Sequence, residues 1–155
     1  DRNNLDEAIK LASIYSNEVI IERFIKGREL TVGVLGNRVL DVVEILPESG
    51  FYDYHSKYTK GATNYISPSD ISSDLTNFIK KESLKIYKAI GCRHYARVDF
   101  LLDDSSKPYL LEVNTLPGLS STSLLPISAK SKGINFEELL DLIVKISILD
   151  NDVVL

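Results

Sequence analysis

One alternating hairpin in the second half of the chain constrains the fold more than any other feature of the sequence. Residues 94–102 and 109–114 alternate apolar and polar side chains, and a run of turn-forming residues separates them. Because successive side chains of a β-strand point to opposite faces, pairing the two segments through the turn places their apolar sets together. The polar sets then share the opposite face, which is predicted to carry Arg97, Asp99, Leu110, Glu112 and Asn114.

The oxygen-bearing side chains of this polar face predict a metal site. Asp99, Glu112 and Asn114 together form a cluster of carboxylate and amide oxygens. Two carboxylates a few ångströms apart repel each other, so one takes up a proton unless a cation lies between them. Mg²⁺ or Mn²⁺ suits such donors, whereas a cluster without His or Cys disfavours Zn²⁺. The alternative is a solvated polar face balanced by Arg97, and the pattern alone leaves both interpretations open.

The N-terminal third of the chain predicts a helix, a strand and a second hairpin. A capping box at Asn4 begins a helix that is predicted to end near Ser16. Residues 19–24 are rich in β-branched side chains and predict a buried strand. Residues 30–46 predict an antiparallel hairpin that turns at Gly36.

The remaining elements complete the predicted fold class. Helices are expected over residues 70–90 and 123–130, and a second capping box at Asn135 begins a last helix that ends near residue 149. Strands that pair as hairpins, with helices between them, predict an α+β fold with a mostly antiparallel sheet flanked by helices.

The stretch 47–68 shows no sustained periodicity and contains Lys57 and Tyr58. A loop of about 20 residues inside a compact domain is uncommon and is usually functional. We therefore expect a lid that closes over a ligand, with a plain surface excursion as the alternative.

A second candidate ligand site follows the polar hairpin. Gly118 lets the backbone approach a ligand closely, and Ser123 lies at the predicted start of a short helix. Hydroxyl and N–H groups at a helix start can bind an anion, although capping of the helix by the same side chain is the commoner use.

The composition excludes several classes of protein. The 155 residues suit one domain, and the net charge of −4 argues against non-specific binding to nucleic acid. No apolar run reaches the roughly 18 residues needed to span a bilayer, so no membrane association is expected. The single cysteine, Cys92, cannot form an internal disulfide and indicates a reducing compartment, the cytoplasm. A chain without Met that opens on a capped helix is expected to be a piece of a longer protein.

Taken together, these segments resemble the C-terminal ATP-grasp part of D-alanine–D-alanine ligase. The resemblance covers nearly the whole chain, in the order and spacing of the family. It rests on the final helix and on four segments, VIIERFIKGRELTVGVLG (19–36), GFYDYHSKY (50–58), GCRHYARVDFLL (91–102) and YLLEVNTLPGLSSTSLLP (109–126). Strand-E-x-N is widespread among ATP-grasp enzymes, whereas the combination of FYDYxxKY with EVNTxPGxxxxS is specific to this family.

The resemblance implies a role for each matched residue. It implies the metal ligands Asp99, Glu112 and Asn114, which would hold two Mg²⁺ or Mn²⁺ ions. It implies the ATP-binding residues Glu22, Arg23, Ile25, Glu29 and Lys57. In this set, the backbone of residues 23–25 would bind the edge of the adenine, and Glu29 would bind the ribose. It implies the catalytic residues Arg97, Tyr58 and Gly118. It implies a pocket for the carboxylate of the second D-alanine at Ser123 and Leu124.

The implied activity is ATP-dependent ligation of two D-alanines through an acyl phosphate, a step of peptidoglycan precursor synthesis. The family's N-terminal domain and its glycine-rich phosphate loop are absent from residues 1–155, so we expect this C-terminal domain to be inactive alone. The resemblance leaves a homodimer of the full-length protein open. The alternatives are another carboxylate–amine ligase of the ATP-grasp class, such as one joining D-alanine to D-lactate, a non-catalytic nucleotide- or metal-binding domain, and a purely structural domain.

Overall fold

The protein is represented by a computed structural model, and the structure describes residues 4–47 and 63–148. The described helices are α1 (Leu5–Ala12), α2 (Ser73–Ala89), α3 (Leu124–Ser131) and α4 (Phe136–Ile148). The described strands are β1 (Gly27–Leu35), β2 (Arg38–Pro47), β3 (Thr63–Ile66), β4 (Tyr95–Asp103) and β5 (Pro108–Asn114).

The strands form one five-stranded sheet in the order β3-β2-β1-β4-β5. Every neighbouring pair is antiparallel, which confirms the predicted α+β class with a mostly antiparallel sheet. β1 lies at the centre because it pairs with β2 on one side and with β4 on the other. The two predicted hairpins, β1–β2 and β4–β5, are therefore joined edge to edge through β1 and β4.

Helices cover both faces of the sheet. On the first face, called the α2 face, Ile79 and Tyr87 of α2 pack against the apolar residues of β1, β2 and β4. The predicted apolar set of β4 lies entirely in this cluster: Ala96, Val98, Phe100 and Leu102. On the second face, called the α3–α4 face, α3 and α4 bury a separate cluster that includes Leu35, Leu40 and Leu125.

An ion-pair cluster at the edge of β2 links the two layers of helices. The carboxylate Oδ1 of Asp41 lies 2.6 Å from Nζ of Lys80 on α2 and 3.3 Å from Nζ of Lys132 just after α3. The hydroxyl of Ser128 on α3 also donates a hydrogen bond of 2.5 Å to the backbone oxygen of Asp41. Asp41 thus connects helices that lie on opposite faces of the sheet.

The structure confirms the predicted turn at Gly36 and the predicted capping box at Asn135. Gly36 has a left-handed φ of 58° at the turn between β1 and β2. At the start of α4, the Asn135 N–H donates to Glu138 Oε2 and the Glu138 N–H donates to Asn135 Oδ1, both at 2.9 Å, which confirms the predicted capping box. By contrast, the side chain of Asn4 makes no capping hydrogen bond, and α1 ends at Ala12 instead of near Ser16.

The predicted buried strand over residues 19–24 is wrong. These residues adopt no strand conformation, and Ile20 and Phe24 are 85% and 72% exposed. A strand needs a neighbouring strand to accept its backbone hydrogen bonds, and the described sheet provides none beside this segment. The segment 4–26 is called the N-terminal arm below.

The structure also corrects two details elsewhere. Residues Thr63–Ile66 form the short strand β3 inside the stretch predicted as a continuous loop, while 48–62 lie outside the described residues. In the β4–β5 hairpin, a register shift after Asp99 pairs Phe100 with Leu110. One extra residue in β5 therefore moves Leu110 from the predicted polar face to the α2 face.

Candidate active site

The polar residues of the β4–β5 hairpin lie on one face, as predicted. Asp99 pairs directly with Glu112, and Arg97 pairs directly with Asn114. Directly opposed residues of an antiparallel pair have Cβ atoms about 4.5–5.5 Å apart on the same side of the sheet. The two carboxylates are therefore close enough to share one cation. This face is the α3–α4 face, on which Tyr95 of β4 packs against the cluster that α3 and α4 bury.

The carboxylate of Asp99 is held by two neighbours. Arg97 donates from Nε to Oδ1 at 2.9 Å and from Nη2 to Oδ2 at 2.7 Å. Thr31 on β1 donates from Oγ1 to Oδ1 at 2.5 Å. All three side chains are buried, and Asp99 is only 3% exposed. The guanidinium and the hydroxyl replace hydrogen bonds to water that this buried carboxylate has lost.

The remaining oxygens fit a hard cation. A carboxylate has about four acceptor positions, and Arg97 and Thr31 use three of those on Asp99. Glu112 is exposed and makes no hydrogen bond or ion pair with the described part of the chain. Asn114 accepts one hydrogen bond on Oδ1, from the Leu116 N–H at 3.1 Å, which leaves a second acceptor position. The three side chains can therefore each contribute an oxygen.

The described ranges 4–47 and 63–148 contain no cluster of three or more His, Cys, Asp or Glu side chains arranged to hold a metal ion. Two carboxylates and one amide do not make a closed protein cage. Such a sparse set suits Mg²⁺, which typically takes one or two carboxylates and completes its octahedron with waters and substrate phosphates.

Glu29 lies on the same face as Asp99, farther along β1. It pairs with Leu101, which in turn pairs with Tyr109, so a second row of side chains crosses the three strands beside the row of Thr31 and Asp99. The candidate ribose residue is thus placed two strand positions from the residue that holds Asp99.

A cavity of about 400 Å³ adjoins this second row. The residues at the end of the N-terminal arm, including Arg23 and Ile25, form one wall, and the β4–β5 turn with Tyr109 forms the other. Hydrogen bonds from the Ser105 hydroxyl and the Lys107 N–H lower the pKa of Asp103, which also lines the cavity. Arg23 and Ile25 are therefore brought to the candidate site, whereas Glu22 is exposed and does not line the cavity.

Gly118 and Ser123 are brought together at the start of α3. A Cβ atom added at Gly118 would lie 2.9 Å from Ser123 Oγ, so the glycine permits a close approach. Ser123 occupies the capping position of α3, but its side chain makes no capping hydrogen bond and instead accepts from the Ser120 N–H at 3.1 Å. The hydroxyl of Ser123 therefore does not cap α3, contrary to the alternative assignment.

Leu124 is buried with Val43 and Ile45, so only its backbone could contact a ligand. Lys57 and Tyr58 lie outside the described residues.

Sequence reasoning missed Thr31. Its alternation with Leu30 and Val32 placed it on a strand, but nothing local shows which strand pairs with β1. The contact between Thr31 and Asp99 spans 68 positions and depends on the non-local pairing of β1 with β4.

Comparisons with known proteins match nearly the whole chain. A family model described as the C-terminus of D-ala D-ala ligase matches residues 1–145. A D-alanine–D-alanine ligase from Methylacidiphilum infernorum is 47% identical over 149 residues, which are 96% of this chain and 49% of the relative. The chain thus spans about half the length of the curated relatives it matches.

Solved structures give the same result. The D-alanine–D-alanine ligase from Bacillus anthracis complexed with ATP superimposes with a TM-score of 0.82 at 34% identity, over 96% of this chain and 47% of that one. The VanG D-Ala:D-Ser ligase from Enterococcus faecalis superimposes with the same TM-score at 36% identity, over 96% of this chain and 44% of that one. Among residues 4–47 and 63–148, no helix is both long and apolar enough to cross a membrane.

Proposed function

The chain belongs to the D-alanine–D-alanine ligase family, and from that premise we propose that it is the C-terminal part of a ligase that joins two D-alanines with ATP. The observation that carries the proposal is the direct pairing of Asp99 with Glu112, on the same face as Arg97, Asn114 and Glu29. That face combines oxygen ligands for a cation with a cationic side chain, as phosphoryl transfer to a carboxylate requires.

The proposed reaction proceeds through an acyl phosphate. The carboxylate of the first D-alanine attacks the γ-phosphorus of ATP, and ADP leaves. The amine of the second D-alanine then attacks the activated carbonyl carbon, an amide bond forms, and phosphate leaves with the loss of a proton from the amine. Both steps depend on positioning and charge neutralisation more than on covalent participation of the protein.

Side chains and backbone groups of this chain position the substrates and neutralise the developing charge. The backbone of Arg23 to Ile25 and the carboxylate of Glu29 bind the adenine and the ribose. Arg97 neutralises the charge that develops on the reacting carboxyl group, and the Gly118 N–H stabilises the tetrahedral intermediate. The Ser123 hydroxyl and the Leu124 N–H bind the carboxylate of the second D-alanine.

The proposed lid supplies the remaining contacts. Lys57 would bind the phosphates of ATP, and Tyr58 would lie near the two D-alanines. Closing the lid excludes water, which would otherwise hydrolyse the acyl phosphate.

Asp99, Glu112 and Asn114 would hold the metal, two Mg²⁺ or Mn²⁺ ions. When bound, the ions supply positive charge to the phosphates.

The complete protein would include the N-terminal domain and the glycine-rich phosphate loop of the family. We place it in the cytoplasm, where ATP is present and the free thiol of Cys92 stays reduced.

A chimera tests the proposal. The first half of the Methylacidiphilum infernorum ligase is fused to residues 1–155, which replace the matching half of that relative. We expect phosphate release that depends on D-alanine, with D-alanyl-D-alanine as the product, and a loss of at least 100-fold in Asp99→Asn and Glu112→Gln. A folded chimera without D-alanine-dependent turnover would contradict the assignment.

The second substrate is tested in the same chimera. The similarity to a D-Ala:D-Ser ligase, at the same TM-score, makes ligation of D-serine the second candidate. Competition between D-alanine, D-serine and D-lactate, followed by analysis of the products, separates the three. Residues 1–155 alone, given D-alanine and Mg·ATP, are expected to release no phosphate above background.

A further inference from the structure

We propose that Thr31 is a positioning residue that fixes the Asp99 carboxylate and thereby decides which of its oxygens is offered to the cation. This inference rests on the proposed metal site. It concerns a residue of β1 that neither the sequence pattern nor the family resemblance assigned to the site.

The position of Thr31 in the sheet supports this role. Val43, Thr31, Asp99 and Glu112 form one row across β2, β1, β4 and β5, each paired directly with the next. Thr31 is fully buried, and its hydroxyl donates to Asp99 Oδ1. The hydroxyl therefore reaches the proposed ligand from the interior of the sheet, on the side away from the exposed Glu112.

The hydrogen bonds on Asp99 are distributed unequally between its two oxygens. Oδ1 accepts from both Thr31 and the Nε of Arg97, which fills its two acceptor positions. Within residues 4–47 and 63–148, Oδ2 accepts only from Nη2 of Arg97, so one acceptor position remains there. With Thr31 in place, Asp99 can bind a cation through Oδ2 alone. Without the hydroxyl, an acceptor position on Oδ1 becomes free and the carboxylate can rotate.

Thr31 and Arg97 differ in how permanently they can hold Asp99. The proposed reaction requires Arg97 to serve the reacting carboxyl group, which competes with its two hydrogen bonds to Asp99. Thr31 has no such second partner in the proposed mechanism, and its β-branched side chain has few rotamers. Thr31 is therefore the contact that can keep the orientation of Asp99 constant throughout the reaction.

A titration of the 155-residue chain with Mn²⁺ tests the proposal. Electron paramagnetic resonance of free Mn²⁺ gives the affinity of the wild type and of Thr31→Val, Thr31→Ser and Asp99→Asn. Partners that orient a metal ligand typically contribute 10- to 100-fold to metal affinity. We expect Thr31→Val to weaken Mn²⁺ binding by about 10-fold or more, and Thr31→Ser to remain within about 3-fold of the wild type.

Ser83→Ala is the matched control. Ser83 is also fully buried, and its hydroxyl bonds to the backbone oxygen of Ile79 on α2, on the opposite face of the sheet. Its loss should lower the melting temperature without changing Mn²⁺ affinity. If Thr31→Val does not fold, Thr31→Ala removes the same hydroxyl and takes its place.

The outcomes separate this inference from the metal site itself. If the wild type binds no Mn²⁺, or binds it no better than Asp99→Asn, the proposed metal site fails and the role of Thr31 fails with it. If Asp99→Asn loses binding but Thr31→Val does not, only the role of Thr31 is overturned. The same conclusion follows if Thr31→Ser is as weak as Thr31→Val, because the hydroxyl is then not the cause.

Discussion

The sheet and the N-terminal arm contain similar apolar, β-branched sequences, but these side chains are buried in the sheet and exposed in the arm. In β1, Leu30, Val32 and Val34 are completely buried between β2, β4 and α2. In the arm, Ile20, Ile21 and Phe24 are mostly exposed, and α1 contains no buried residue. The difference lies in the neighbours, because both flanks of β1 are paired whereas the described sheet provides no strand beside the arm.

This contrast shows what an apolar run establishes. β-branched side chains fit a pleated surface, but the strand forms only where another strand accepts its backbone hydrogen bonds and another layer covers its side chains. The stability of the described structure should therefore depend on the sheet and its helices, and very little on the arm.

The largest expected difference comes from one substitution made in both regions. Ile79→Ala removes a fully buried side chain from the α2 face and should lower the free energy of unfolding by about 2–5 kcal/mol. Ile20→Ala removes an exposed side chain of the arm and should change it by less than about 0.5 kcal/mol. Urea unfolding of the two variants measures both effects. Similar losses would mean that the arm is packed as firmly as the core.

A smaller difference should appear in the pH dependence. Burial of Asp41 opposes ionisation, but the hydrogen bond and charge of Lys80 and the charge of Lys132 outweigh it and lower the pKa of this carboxyl below 3.8. The stability contributed by the ionised form is therefore present above about pH 4. It is lost as the pH falls through the lower pKa of the folded state.

Asp41→Asn should accordingly lower the free energy of unfolding by about 1–2 kcal/mol at pH 7, with a loss that shrinks as the pH is taken below 3.8. None of the described arm residues forms an ion pair, so Glu18→Gln serves as the control and should have little effect at either pH. Thermal melts at pH 7 and pH 3 compare the two. A loss in Asp41→Asn that grows in acid would contradict the ion-pair account.

The smallest expected effect is a gain in the free energy of unfolding. His94, just before β4, has a left-handed φ of 67°, and its backbone oxygen accepts a hydrogen bond of 2.7 Å from the Gly36 N–H. This conformation costs most residues about 1–2 kcal/mol, part of which glycine recovers. His94→Gly should therefore raise the free energy of unfolding by about 0.5–1 kcal/mol.

Two controls isolate the backbone effect. His94→Ala removes the imidazole but keeps Cβ, so it should not reproduce the gain. Asn17→Gly in the arm should not stabilise the chain either. A gain in His94→Ala equal to that in His94→Gly would assign the effect to the imidazole.

The contrast also explains which features the sequence could predict. The shared face of Asp99 and Glu112 followed from alternation, because their strands are joined by a short turn and pair locally. The contact of Thr31 with Asp99 depends on two hairpins docking edge to edge, which no local pattern encodes. The same is true of the one-residue register shift that moves Leu110, because a single extra residue leaves the alternation of letters almost unchanged.

The proposed reaction depends most on Asp99 and Glu112 sharing one divalent ion. The most direct measurement is the anomalous diffraction signal of Mn²⁺ in crystals of this chain grown with Mn²⁺ and a non-hydrolysable ATP analogue. We predict a peak bonded to Asp99 Oδ2 and to the Glu112 carboxylate, at the roughly 2.0–2.6 Å typical of oxygen ligands. A peak that contacts neither carboxylate, or an Asp99 that keeps both oxygens for Arg97 and Thr31 while Mn²⁺ binds elsewhere, would contradict it.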